Sequence, residues 1–137
     1  MTAMMTSQRP NLGTSSGRRV LIVEDDPNSR WALCALLKRL GFDCRAATNG
    51  QEALDLVRAF QPEAVIMDLM MPVLDGVEAT RRLKADARTR GIPVLALSAN
   101  ATPGGRSAAR RAGADDFLTK PVILTELLEH LHRHLDA

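Results

Sequence analysis

Six side chains of this 137-residue chain carry reactive oxygen or nitrogen where an apolar run gives way to polar residues. Glu24, Asp25 and Asp26 follow "RVLIV", Asp68 follows "AVIM", Ser98 closes "IPVLALS" and Lys120 follows "DFLT". Taken singly, an Asp in such a place is most often a turn or cap residue. Taken together, they compose a site if folding brings them to one edge. Two carboxylates about 4 Å apart repel by roughly 4 kcal/mol at an effective dielectric near 20, so three would protonate or splay apart without a cation. The ligands on offer are hard oxygens with no His or Cys among them, which selects Mg²⁺, or Mn²⁺, over zinc. Mg²⁺ takes few carboxylates and favours a phosphate oxygen, so the implied substrate is a phosphoryl group. Lys120 supplies a point charge for that group and Ser98 a hydroxyl donor. A carboxylate can itself attack phosphorus and form an acyl phosphate, with catalysis reduced to positioning and charge neutralisation. Asp68, on the central apolar run, is the candidate nucleophile.

The elements that must gather these residues are legible as alternating strand and helix patterns. "RVLIV" is short, apolar and β-branched, hence a buried strand. Asp26 before Pro27 is an N-cap with proline at the first helical position. The helix that follows repeats Leu33, Leu36, Leu37 and Leu40 and stops at Gly41. "FDCRA" alternates like a half-exposed edge strand, and Asn49-Gly50 opens a second helix with Ala53, Leu54, Val57 and Phe60 inward. Then come "AVIM", a helix from about Val77 to Ala85, "IPVLALS", a helix near 105 to 112, "DFLT" and a last leucine-rich helix. Five βα units predict a parallel sheet covered by helices on both faces, a three-layer α/β sandwich. Ligands of such sheets bind outside the carboxyl ends of the strands, where the six side chains would meet.

With "LIVEDDPNSR", "VIMDLMMPVLDG", "VLALSA" and "AGADDFLTKP" at these mutual spacings, residues 19 to 135 resemble a response-regulator receiver domain of two-component systems, of the single-domain, chemotaxis-regulator-like kind. The resemblance implies a five-stranded sheet in the flavodoxin-like order 2-1-3-4-5. Asp68 would take a phosphoryl group from a phosphohistidine. Asp25, Asp68 and the backbone carbonyl of Met70 would hold Mg²⁺, with Glu24 acting through water. Ser98 and Phe117 would be the switch pair, Lys120 the phosphate-pairing lysine, and Lys120-Pro121 a cis peptide bond. On phosphorylation Ser98 would move toward the new oxygens and Phe117 turn inward, changing the surface of helix 4, strand 5 and helix 5. The implied partners are a histidine kinase or histidine phosphotransfer protein and a downstream protein target, with a monomer or a phosphorylation-dependent dimer.

Three features depart from the family pattern. Phe117 stands where tyrosine is often found, and the chain has no Tyr, so any switch works through packing. Met70, two residues after Asp68, cannot orient a hydrolytic water, and Asn100, two after Ser98, would do so only partly; both predict slow loss of phosphate. Gly104 and Gly105 weaken the start of the fourth helix, by roughly 1 kcal/mol for each Gly inside a helix, and predict a late or mobile beginning.

Composition excludes other classes. One domain of this length with 45% hydrophobic residues builds a real core. Residues 1–18, rich in Ser, Thr, Gly and Pro, read as a flexible arm before a domain spanning 19–137, with no output domain. No membrane-length or secretory apolar segment is present, and Cys34 and Cys44 suit reduced thiols, which places the chain in the cytoplasm. A net charge of +2 is too small for direct nucleic-acid binding; the arginine clusters at 81–90 and 106–111 read as solvated helix faces. No P-loop or GxSxG elbow occurs. The competing classes are an Mg²⁺-dependent phosphohydrolase with an aspartyl nucleophile, and the receiver part of a hybrid kinase or DNA-binding regulator. A phosphohydrolase of the haloacid-dehalogenase type wants a second acid where this chain has Met70. His130 and His134 have i, i+4 metal spacing without an evident third ligand, so they read as a solvated face. Trp31 reads as packing or a partner contact.

Overall fold

The structure, a computed structural model, describes residues 17–71, 73–99 and 102–136. The arm read at 1–18 lies outside them except for Gly17 and Arg18, as does Asn100. Five strands, β1 (Arg19–Val23), β2 (Asp43–Ala47), β3 (Ala64–Asp68), β4 (Val94–Ser98) and β5 (Asp116–Thr119), alternate with five helices. These are α1 (Pro27–Arg39), α2 (Gly50–Phe60), α3 (Gly76–Ala85), α4 (Pro103–Ala112) and α5 (Leu124–Leu135). All neighbouring strands pair in parallel, in the order β2-β1-β3-β4-β5. The βα alternation therefore leads correctly to the sheet and its layers, and the resemblance to its strand order.

Every residue of β3 and β4 is buried, as expected of parallel strands covered on both faces. Pleating sends Val20, Ile22, Ile66, Leu95 and Leu97 to one face, where Leu37 of α1 and Leu127 and Leu131 of α5 cover them. Leu21, Val23, Val65 and Met67 face the other way, under Ala53, Val57 and Phe60 of α2 and Ala79 and Leu83 of α3. The α4 helix joins that second layer through Ala109, against Leu69 and Ala96. The β2 pattern breaks at its end, where Ala47 is buried and Ala46 only half-buried.

Side-chain caps start four of the helices. Asp26, Asn49 and Asp75 accept from the amides of Ser29, Glu52 and Glu78 at 2.8–2.9 Å. The expectation for α4 is corrected: it begins at Pro103, because the Thr102 hydroxyl accepts from the Gly105 amide and Pro103 occupies the first turn. Cap and proline outweigh two glycines. One glycine is required by close approach: a Cβ on Gly76 would lie 2.1 Å from the Asp68 carbonyl. The bare Gly76 backbone thus lets α3 begin directly against the end of β3.

Candidate functional site

The strand order reverses between β1 and β3, and the two segments that flank this switch point carry the acids. Glu24 is 4% and Asp68 3% exposed, while Asp25 is open to solvent. Carboxylate oxygens of the three lie within 4.8 Å of one another. Asp26 stays apart as the α1 cap, and its amide donates to Glu24 Oε2 at 3.2 Å. Lys120, from the end of β5, reaches into the group: Nζ donates to Glu24 Oε1 at 2.7 Å and to Asp68 Oδ2 at 3.2 Å. The bond following it, Lys120-Pro121, is cis. Ser98 is 4% exposed at the end of β4, in register with Thr119, and its carbonyl accepts from the Lys120 amide. Four connections thus meet at one edge, joining residues 96 positions apart.

The charges at this edge are unequal. Burial pushes the Asp68 carboxyl up to about 6, and the Glu24 carboxylate adds to that rise against the Met70 amide and Lys120. Burial opposes ionisation of Glu24 too, but Lys120 and the Asp26 amide hold it below the usual carboxylate value. Burial works against the Lys120 charge, yet the two carboxylates hold its pKa above the ordinary value. Asp68 is therefore the carboxylate for which charge is least compensated, the condition of a group that gains from an incoming cation.

The loop after Asp68 folds back on it: the Met70 amide donates to Asp68 Oδ1 at 3.1 Å, while the Met70 side chain is 70% exposed. Val73 follows at φ +70°, a β-branched residue in the left-handed region, 82% exposed. Phe117 is half-buried against Leu69, Ala96 and Ala109, with the Arg106 guanidinium 4.6 Å from its ring centroid. Arg30 carries no sequence signal that singles it out. Its Nη1 donates to the Glu24 and Asp25 carbonyls at 3.0 and 3.2 Å, bracing the acidic loop from the first turns of α1.

Two expectations away from the site are corrected. The histidines of α5 are not a solvated face. Asp116 Oδ2 contacts His130 Nδ1 at 2.5 Å and His134 Nε2 at 3.1 Å, so a carboxylate supplied by β5 lies between them. Of the two readings of Trp31, packing is set aside because the side chain is 74% exposed, and the partner contact stands as an expectation. Cys34 and Cys44 are free thiols, half-buried and buried.

A doubly wound parallel sheet that gathers three acids, a lysine and a hydroxyl outside its central strands is the build of a receiver domain. The family model for the response regulator receiver domain matches residues 20–132, and the chain belongs to that family, the phosphoacceptor domains of two-component systems. Among curated proteins it is 39% identical over 114 residues to Protein PilH of Pseudomonas aeruginosa, covering 83% of this chain and 94% of PilH. It is 42% identical over 113 residues to Response regulator MprA of Mycolicibacterium vanbaalenii, covering 82% of this chain and 48% of MprA. The chain thus spans about half the length of the MprA proteins it matches. Among solved structures, the receiver domain of sensor histidine kinase PA1611 from Pseudomonas aeruginosa, with a magnesium ion in its active-site cleft, superposes with a TM-score of 0.83. It is 35% identical and covers 89% of this chain and 100% of that one. Receiver domains bind Mg²⁺ in an acidic pocket and interact with histidine kinases or phosphotransfer proteins; the acidic pocket is present here.

Proposed function

We propose that Asp68 is the phosphoacceptor and that the chain takes a phosphoryl group onto it from a phosphohistidine. The observation that carries this reading is the contact of Lys120 with both Asp68 and Glu24 at the carboxyl edge of the sheet. It places one cation beside a buried carboxylate that has a reactive oxygen to offer. The donor set fits Mg²⁺: three carboxylates, hard oxygens, within reach of one small ion. Asp25, Asp68 and the Met70 carbonyl would hold it, with Glu24 through water. When bound, Mg²⁺ neutralises the carboxylates and the phosphoryl oxygens.

The chain's own groups account for the remaining steps. An Asp68 oxygen attacks phosphorus as the phosphorus–nitrogen bond of the donor imidazole breaks, and that nitrogen keeps the bonding pair. Lys120 moves from ion-pairing carboxylates to pairing a phosphoryl oxygen, and the Ser98 hydroxyl donates to another. Ser98 and Phe117 act as the switch pair, read by a downstream protein or a second copy at α4, β5 and α5. Self-dephosphorylation is slow, because the Met70 side chain presents no strong polar group to water. The output is a changed surface and not a released product. Two free thiols suit the cytoplasm, where a kinase partner would supply phosphohistidine. No described helix is long and apolar enough to cross a membrane.

Phosphotransfer from a panel of histidine kinases and phosphotransfer proteins, run on wild type and Asp68→Ala, tests this. Labelling of the wild type that disappears in the variant is expected. Transfer that survives the substitution overturns the assignment.

A further inference from the structure

The proposed switch turns on one ring, and an arginine of α4 lies over that ring. Phe117 has no hydroxyl with which to fix a resting position, and the chain offers no tyrosine elsewhere. Its inner side packs on Leu69, Ala96 and Ala109, and the Arg106 guanidinium, from the first turn of α4, sits 4.6 Å from its centroid. The nearest acids are engaged by other side chains. Asp115 is held by Lys84 at 2.7 Å, and Asp116 by His130, His134 and Arg133. Among the described residues Arg106 forms no ion pair, so the ring face is the one described partner of its guanidinium. A cleft of about 580 Å³ opens between the β3–α3 loop and α4, lined by Ser98, Leu69, Val77, Gly105 and Ala108. Leu69 lines this cleft and also belongs to the cluster against which Phe117 packs, so the cleft adjoins the surroundings of the ring.

We propose that Arg106 is a positioning residue for the phosphorylation switch: stacked on Phe117, it holds the ring in its resting place and couples ring movement to α4. The proposal rests on Ser98 and Phe117 being the switch pair. For the ring to turn inward the stack must open, so its free energy counts against the phosphorylated arrangement. A cation–π pair at an exposed site corresponds to about a two- to five-fold bias in that equilibrium. Opening also frees a guanidinium on α4 in the same step that withdraws an aromatic ring from β5. Both events change the face a partner would read.

The test is binding of beryllofluoride with Mg²⁺, the acyl-phosphate mimic, alongside ¹⁹F NMR of protein labelled with fluorophenylalanine. The chain has three Phe residues, and Phe117→Leu identifies the relevant resonance. Arg106→Ala and Arg106→Met should raise beryllofluoride affinity about two- to five-fold and shift the Phe117 resonance, with Arg106→Lys falling between them and wild type. Introduced into Phe117→Leu, Arg106→Ala should change nothing. An unchanged Phe117 resonance and unchanged affinity overturn the proposal, as does an equal gain without the Phe117 ring, which would make Arg106 merely structural. A wild type that fails to bind beryllofluoride at Asp68 while the resonance still answers to Arg106 sinks the phosphoacceptor reading and leaves the stack standing.

Discussion

At the scale of single residues, the site is a balance of groups that want incompatible things. As the proposed phosphoacceptor, Asp68 would have to be buried enough to exclude competing water yet charged enough to attack, and burial with the Glu24 carboxylate raises its pKa to about 6. Lys120 offsets part of that cost from 3.2 Å. What surrounds the product matters as much. A water attacking the acyl phosphate needs a polar side chain to orient it, and position 70 offers an exposed thioether. Phosphate loss from the isolated protein should therefore be slow. Met70→Asn, which supplies both a donor and an acceptor, should hasten it by about tenfold, well short of the roughly 10²–10⁴ of a fully positioned base. Following acid-labile label on Asp68 after removal of the donor measures both. Loss within seconds from the wild type would rule out the role given to Met70.

At the scale of elements, most of what positions the site is legible in local pattern. The apolar runs of β1, β3 and β4 are buried almost throughout, and Asp26, Asn49 and Asp75 cap as their types suggest. What local pattern misses has a physical origin, either a partner distant in sequence or a competing local effect. Asp116 lies 14 and 18 residues before the histidines it touches, so no local spacing announces the group. Arg106 over Phe117 is equally non-local. For α4, glycine propensity points one way and the Thr102 cap with Pro103 the other, and the cap prevails. That balance can be measured. A Cβ on Gly104 meets nothing within 4 Å, so Gly104→Ala should stabilise the fold by about 0.5 kcal/mol. Thr102→Ala should destabilise it by about 1 kcal/mol through loss of the cap. Urea unfolding of both variants distinguishes them; signs opposite to those given would mean that α4 is not held by its first turn.

At the scale of the whole molecule, the carboxyl edge sets how stability depends on pH in the absence of metal. The Asp68 carboxyl, ordinarily at 3.8, is raised to about 6, so between those values the folded chain binds a proton that the unfolded chain has lost. Stability from this group falls as pH rises through that window and its penalty is complete above about 6. Glu24 and Asp116 behave oppositely. Burial opposes their ionisation, but Lys120 and the Asp26 amide for the first, and His130 and His134 for the second, hold each below its ordinary value. Their contributions are present above about 4.5 and 3.8 and are lost as pH falls through the lowered values. Metal-free stability should thus pass through a maximum near about pH 4 and decline on both sides. Asp68→Asn removes the charge responsible for the upper limb. It should flatten the decline toward neutral pH and raise stability there by about 2 kcal/mol, at about 1.36 kcal/mol per pH unit of pKa difference discounted for solvent screening and relaxation. The acid limb should survive in that variant, since Glu24 and Asp116 remain. Denaturant midpoints from about pH 3.5 to 8 in EDTA would show this. An upper limb unchanged by Asp68→Asn would mean that the buried Asp68 carboxylate is not what lowers stability toward neutral pH.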